Sequence, residues 1–383
     1  MAHHSFRIYI VTILFIALIS FPFINDRVKL VKDLASTENR KMTIKPVMNF
    51  TYLDPYPAQY EKYYNDNFTI RSIMVKYFNL INIVVFKKSP VPDQVVIGKD
   101  NWLFVAGNEV DSYRGKNRFS QSELEKFKQE LEYRKKYLDE RGCKFYLLIA
   151  PAKANIYSEK MPNTIFQSCK QSWGEQLIEY LNNYSEVKPL NVYDVFRANR
   201  EKELLYYKLD NHWTQLGAFY CANEFFKRVS TDFPGVAASS LENYNISKTE
   251  INTGNIIKML SNIGNYSDYL FQLTPKSGFQ AKDVKTMGYP VVSGFPYPWE
   301  YEKNKEIGDS KKPKILIVSD SFGGDIFPFI AEEFSRSVKI FDSWQYKLNE
   351  DIVKSEKPDI FLLIGSEAAI RNMLNFQSHL NPK

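Results

Sequence analysis

The chain has 383 residues, with 50 Lys+Arg against 44 Asp+Glu, a net charge of +6 and 15% aromatic residues. A composition that is 44% hydrophobic excludes a wholly disordered chain and allows a large core in one or two domains. The mild charge, without a Lys/Arg run, gives no nucleic-acid patch.

The first element lies between Arg7 and Asp26, where Ile8 to Asn25 form an uncharged run of 18 residues. A membrane-spanning helix needs roughly 20 apolar residues. The run ends Phe21-Pro22-Phe23-Ile24, without the small-residue pattern of a cleavage site, so residues 1–25 are expected to be an uncleaved signal anchor. Arg27, Lys29 and Lys32 follow the run and only Arg7 precedes it nearby. By charge alone that favours a cytoplasmic body. Residues 26–95 read as a stalk or helical cap, with Tyr60, Tyr63, Tyr64 and Phe68 at helical spacing, a packing pattern more than a ligand site.

Strand and helix signals alternate through residues 96–383. Gly98 to Val105 read as a turn and a short apolar strand, and residues 121–141 as a charged amphipathic helix capped by Ser120 and ended by Gly142. KFYLLIA (144–150) is a continuous apolar run of the kind buried in parallel sheets. A helix over about 172–183 follows, then a strand LNVYDV, and later the strands KILIVSD, SVKIFD and DIFLLIG. The alternation predicts an α/β fold with a parallel sheet of about five strands. Residues 232–312, rich in Asn, Ser, Gly and Pro, read as an irregular insertion.

Cys143, Cys169 and Cys221 fit no zinc spacing, and two of the four histidines are His3 and His4, so neither a metal nor a cofactor is implied. The odd thiol count leaves one disulfide or three separate thiols open.

Two places carry chemistry-bearing residues. KILIVSD runs into Ser321-Phe322-Gly323-Gly324. Ligands of open α/β sheets bind at the carboxyl ends of strands, and a serine at a helix N-terminus has backbone N–H groups close by for an oxyanion. Gly323 and Gly324 permit close backbone approach. The same residues also suit an ordinary serine N-cap. The second place is Asp210-Asn211-His212-Trp213-Thr214, with Thr214 before the helical stretch 215–229. A lone interior histidine is often a satisfied core residue. Asp210, two residues earlier, is placed to orient an imidazole as a nucleophile–base–orienter set requires. The two places are 109 residues apart, and periodicity does not bring them together.

At these residues the sequence resembles the SGNH-hydrolase-like O-acetyltransferases of the alginate O-acetylation J and X type. Asp210 to Thr214 is similar to the family's D-x-H-W-T block, and Ile317 to Gly323 to its G-D-S-F block. Gly98 to Phe104, Ala150-Pro151-Ala152-Lys153 with Tyr157, and Tyr64 to Phe68 with Arg71 resemble softer family features. Ser319 stands where the family usually has Gly, and Thr253-Gly254-Asn255 where relatives tend to have Gly-Asp. The resemblance implies a three-layer α/β/α domain with Ser321 as nucleophile, His212 as general base and Asp210 as its orienter. The N–H groups of Ser321 and Gly323 would hold the oxyanion, and Lys153, Tyr157 and Trp213 would contribute to substrate binding. It implies transfer of acetyl groups to an exopolysaccharide or cell-surface polysaccharide, supplied by a membrane-bound O-acyltransferase, with the body periplasmic. A carbohydrate acetylesterase with the same residues, or a non-catalytic polysaccharide-binding protein of an export complex, are the competing expectations.

Overall fold

The computed structural model describes residues 2–31, 42–51, 53–260, 262, 264–291, 295 and 298–380, with the side chains of 2–8 and 26 left out. The chain divides into two compact units, 1–92 with 257–265, and 93–256 with 266–383.

The first unit holds α1 (Ala2–Val28), α2 (Pro55–Asn67) and α3 (Arg71–Val84). The aromatic spacing in α2 yields stacked rings, Tyr56 on Tyr60 and Tyr64 on Phe68, with Phe23 of α1 against Tyr64. The expected anchor begins in residues 1–8, whose side chains lie outside the described residues. Among the described residues no helix is long and apolar enough to cross a membrane.

The second unit is built on a six-stranded sheet. Its strands are β1 (Lys144–Ala150), β2 (Lys282–Val284), β3 (Glu302–Glu306), β4 (Lys314–Ser319), β5 (Arg336–Phe341) and β6 (Ile360–Ser366), in the order β1-β6-β4-β5-β3-β2. The four strands β1, β6, β4 and β5 pair in parallel, whereas β3 and β2 add antiparallel at one edge. The expected parallel sheet of about five strands is corrected in two ways. LNVYDV makes only a single bridge, Leu190 to Leu148, before Tyr193–Asn199 turns helical, with Asn191 Oδ1 accepting the Tyr193 N–H. The edge strands KDV and EKNKE are charged, so hydrophobic patterning does not mark them. Both lie in the stretch read as irregular, which also contains an antiparallel pair, Tyr244–Ile251 with Asp268–Pro275.

Helices cover both faces. α4 (Gln121–Asp139) and α5 (Trp173–Tyr184) each start with a capping box, Ser120 with Glu123 and Ser172 with Glu175. α6 (Gln215–Val229) is capped by Thr214, whose Oγ1 accepts the Gly217 N–H at 3.3 Å. α7 (Gly323–Ala331) follows β4. Successive strand residues face opposite sides. Tyr146 of β1 meets Phe225 of α6 on one face, and Ile149 lies beside Gly174 of α5 on the other. The result is three layers, helix–sheet–helix. The three cysteines are unpaired, Cys143 and Cys221 buried and Cys169 partly exposed.

The softer sequence features have structural uses. Gly98 to Val105 forms the turn and second strand of a tight hairpin that pairs Val95–Ile97 with Leu103–Val105, with Asp100 and Asn101 both at positive φ (52° and 64°), as a primed turn requires.

Candidate active site

Ser321 sits where β4 ends and α7 begins, at the carboxyl ends of the parallel strands. The apolar run Ile315 to Val318 buries β4, and Asp320 fixes the turn after it. Asp320 Oδ1 accepts the Phe322 N–H at 3.0 Å, while Oδ2 accepts the Tyr346 hydroxyl at 2.8 Å and the Ser366 N–H at 2.7 Å. The turn is thereby tied to the end of β6 and to the segment after β5. Gly323 is needed for close approach: a Cβ there would stand 2.0 Å from Ser319 Oγ. Ser321 itself is exposed.

The loop 207–212 brings its side chains to this point. An antiparallel bridge between Tyr206 and Trp213 closes its neck, and Thr214 donates its N–H to Leu205 O at 2.9 Å. His212 Nε2 lies 2.7 Å from Ser321 Oγ, and His212 Nδ1 lies 2.7 Å from Asp210 Oδ1. Asp210 Oδ1 also accepts the His212 N–H at 3.1 Å, and Oδ2 accepts the Asn255 N–H at 2.7 Å. Gly254 lets that segment approach, because a Cβ on it would lie 2.4 Å from Leu209 O. Thus the Thr253-Gly254-Asn255 departure supplies a backbone donor to Asp210.

The charges follow from this geometry. Burial works against an ionised Asp210, but the bond and charge of His212 and the two N–H groups prevail and lower its carboxyl to about 2. Burial likewise opposes a charged imidazole, yet the Asp210 bond and charge raise His212 above its ordinary value. A serine hydroxyl, an imidazole and an ionised carboxylate are therefore in one chain of hydrogen bonds, with the imidazole free to take a proton when neutral.

The other expected residues lie differently. The Gly323 N–H donates to Asp320 O at 3.1 Å, so it is engaged within the turn and is not an open oxyanion donor. The Ser321 N–H donates to no acceptor among the described residues. Lys153 is fully buried, with Nζ 3.1 Å from Tyr207 O, 3.3 Å from Lys208 O and 2.7 Å from Asp210 O. Burial pushes its ammonium down to about 8, against the pull of Glu109, Asp210 and Asp268. Tyr157 is buried on the Trp102 ring, its hydroxyl accepting the Leu205 N–H at 2.9 Å. Trp213 is buried between Phe196 and Phe322. Expected as substrate ligands, these three side chains are instead packed beneath the loop, because each is drawn to backbone or aromatic partners there.

Sequence reasoning missed two charged neighbours. Asp325 lies in the first turn of α7, four residues after Ser321, and its carboxylate acts on His212. Burial raises its carboxyl, with His212 acting against that. Lys339 of β5 is buried against Gly323, and burial pushes its ammonium down to about 8. Strand register would have placed Lys339 beside Ile317 of β4 had the pairing been known.

The family model described as SGNH hydrolase-like domain, acetyltransferase AlgX, matches residues 95–339. The chain belongs to this family. Among similar family proteins, the probable alginate O-acetylase AlgJ of Pseudomonas aeruginosa is 22% identical over 294 residues, 73% of this chain and 66% of that protein. The AlgJ of Pseudomonas syringae pv. tomato is 22% identical over 174 residues, 45% of this chain and 42% of that protein. The chain thus spans less than two thirds of these relatives' length. Among solved structures, PatB1 of Bacillus cereus aligns with a TM-score of 0.54 at 17% identity, covering 72% of this chain and 96% of that one. A DHHW family protein from Eubacterium siraeum aligns at 0.51 and 18% identity, covering 72% and 95%. These two likenesses show the shared SGNH-like fold.

Proposed function

We propose that the chain is an O-acetyltransferase that places acetyl groups on polysaccharide hydroxyls through an acyl-enzyme on Ser321. The observation that carries the reading is His212 bridging Ser321 Oγ and Asp210 Oδ1, with 2.7 Å on each side. Ser321 Oγ attacks the acetyl carbonyl of a donor ester while His212 Nε2 takes its proton. The tetrahedral oxyanion lies toward the open Ser321 N–H. Its collapse breaks the bond to the donor's leaving oxygen, which receives the proton from His212 and departs. A sugar hydroxyl then attacks acetyl-Ser321, His212 takes that proton, and collapse returns it to Ser321 as the acetylated sugar leaves. Asp210 holds the imidazole with Nε2 toward the serine and stabilises its cation.

Family membership supports polysaccharide as acceptor, since similar proteins carry the name alginate O-acetylase. Placement outside the cytoplasmic membrane, anchored by α1 and fed by a membrane-bound O-acyltransferase, is part of the same proposal. The anchoring is supported by the uncharged run Ile8 to Asn25 and by the exposure of apolar side chains from Tyr9 to Ile24, while the side of the membrane and the acyl supplier rest on the family resemblance against the charges after the run. Protease treatment of spheroplasts tests the placement: a body that stays protected while the membrane is intact overturns it.

The chemistry is tested with a chromogenic acetyl ester, with and without oligosaccharide acceptors, followed by mass analysis of the sugars. Acetylated sugar with suppressed acetate release supports transfer. Acetate release alone, unaffected by any acceptor, assigns the chain to the esterases. Absence of both, with folded protein, removes the enzyme reading.

A further inference from the structure

The loop 207–212 holds two of the three reacting side chains yet has almost no ladder of its own. Beyond its closed neck, its one cross-loop bond is the Tyr207 N–H to His212 O at 3.2 Å. Lys208 O also accepts the Leu103 N–H at 3.0 Å, Leu209 O accepts the Ile256 N–H at 3.1 Å, and further backbone groups turn toward two buried charges. Lys153 Nζ has three protons and meets three carbonyls, those of Tyr207, Lys208 and Asp210. Asp268 Oδ2 accepts the Leu209 N–H at 2.9 Å from the strand Asp268–Pro275, while its Oδ1 accepts its neighbour Tyr269 N–H at 2.8 Å. Both side chains are fully buried. The Lys153 ammonium lies 5.1 Å from the centre of the Phe104 ring and 5.8 Å from that of Trp102, so its position is set by packing as well as by bonds.

We infer that Lys153 and Asp268 form a buried clamp of opposite charges, gathering the carbonyls and the N–H of one loop, and that this clamp positions Asp210 and His212 for acyl transfer. Both are positioning residues, and neither touches substrate. A buried charge is costly where an apolar side chain would fill the same space. What an apolar side chain lacks is the ability to hold three carbonyls of an irregular loop on one point. The Asp210 carbonyl is the shortest of the three at 2.7 Å, so the clamp acts directly on the residue that orients His212. Glu109 is buried nearby, and its carboxyl is raised by burial, with the Lys153 charge opposing.

The inference rests on the reading of Ser321, His212 and Asp210 as the reacting set, and one experiment separates the two. The full chain and its Lys153→Met and Asp268→Asn variants are treated with phenylmethanesulfonyl fluoride. The modification rate at Ser321 is followed by mass against pH, normalised to the folded fraction from melting curves. In the wild type, modification of Ser321 with a pH midpoint set by His212 is expected; no modification there removes the reacting set itself. In Lys153→Met, a rate lower by on the order of 10²-fold per folded molecule is expected, as for a small misplacement of a reacting group, together with a shifted midpoint. Asp268→Asn keeps an acceptor oxygen and the shape of the side chain, and a smaller loss in the same direction is expected. Should Lys153→Met fail to fold, Asp268→Asn decides by the same comparison. Variants that melt lower but react at the wild-type rate and midpoint per folded molecule overturn the clamp and leave both residues as plain supports.

Discussion

The Ser321 turn and the Asp210–His212 loop meet within one hydrogen bond, but they are held there by different means. Ser321 is carried by regular structure: a buried parallel strand, a turn pinned by Asp320 and a helix that starts at Gly323. Asp210 and His212 are carried by six residues without helix or ladder, fixed through Lys153, Asp268 and the N–H groups of Asn255, Leu103 and Ile256. Regular structure fixes a side chain through many small, redundant contacts. The loop depends on a few strong polar ones, each of which leaves a buried group unpartnered when removed. Substitutions around Ser321 should therefore act on chemistry when they touch the hydroxyl and on stability when they touch the turn. Around the loop, the two effects should travel together.

The largest expected effect is at Ser321, the proposed nucleophile. Ser321→Ala removes an exposed hydroxyl without disturbing β4 or α7, so the melting temperature should stay near wild type. Acetyl transfer to a model acceptor should fall by on the order of 10⁶-fold, as when the nucleophile is lost from a set that acts as a unit. Near-normal turnover in this variant ends the acyl-enzyme reading.

Next comes Asp210→Asn. His212 must be neutral to accept the Ser321 proton, so turnover rises with pH through the folded pKa of His212, which lies above the ordinary histidine value. Replacing the carboxylate removes the main group that raises it, so the midpoint should move down. The amide can also present an N–H to Nδ1 and favour the wrong tautomer. A fall of on the order of 10⁴-fold is the magnitude known for such a change in a serine protease. Stability should respond too. Because the folded Asp210 carboxyl is lowered to about 2, its contribution is present above the ordinary carboxylate range and is lost as pH falls through about 2. Acid unfolding curves of the variant should lack that component. A midpoint that moves upward, or turnover that survives while stability drops, contradicts the assignment of His212 as base.

How much of this was legible in the sequence follows the same division. The parallel core strands, the capped helices at Ser120 and Thr214 and the strand–turn–helix at Ser321 are written in local patterns of apolar runs and caps. The motif residues Asp210, His212 and Ser321 come together as the family resemblance implied, although nothing in their spacing placed them within 2.7 Å. Three things could not be read. The edge strands 282–284 and 302–306 are polar, and only the pairing of 302–306 with β5 and of 282–284 with 302–306 makes them strands. Lys153 is expected as a substrate ligand from the family resemblance of Ala150 to Lys153; its three carbonyl partners come from a loop more than fifty residues away. Gly323 looked like an oxyanion donor, but the turn that exposes Ser321 uses its N–H.

The contrast sharpens with two substitutions of similar size. Asp320→Ala takes the acceptor from Tyr346 OH and from the Ser366 and Phe322 N–H groups, all buried. A loss of about 1–3 kcal/mol for each buried group left unpaired is the relevant scale, so chemical denaturation should show a loss of several kcal/mol. Gly254→Ala places a methyl 2.4 Å from Leu209 O, and backbone must shift to relieve it. There the expected result is a smaller loss of stability with a clear drop in turnover, because the Asn255 N–H is drawn away from Asp210 Oδ2. If Asp320→Ala and Gly254→Ala change the ratio of turnover to stability equally, the two regions are not supported differently.

The smallest expected effect belongs to Asp325, and it isolates charge from position. Asp325 has its own backbone in α7 and no part in holding the loop, but its carboxylate contributes to raising His212. Its own carboxyl is raised by burial, with His212 opposing, so near neutral pH the pair influence one another through space and not through a bond. Asp325→Asn keeps shape and removes charge. The midpoint of the turnover–pH curve should move down, in the same direction as for Asp210→Asn but by less, because Asp210 both bonds the imidazole and lies first among the groups that raise it. Turnover on the alkaline plateau should stay close to wild type, since His212 is neutral there in either protein and its position is unchanged. Raising the salt concentration should change the midpoint difference only a little, because salt screens partly buried pairs much less than exposed ones. A plateau that falls as steeply as in Asp210→Asn would mean that Asp325 touches the reacting atoms or the acceptor, and the carboxylate would then belong with Ser321, His212 and Asp210 in the site itself.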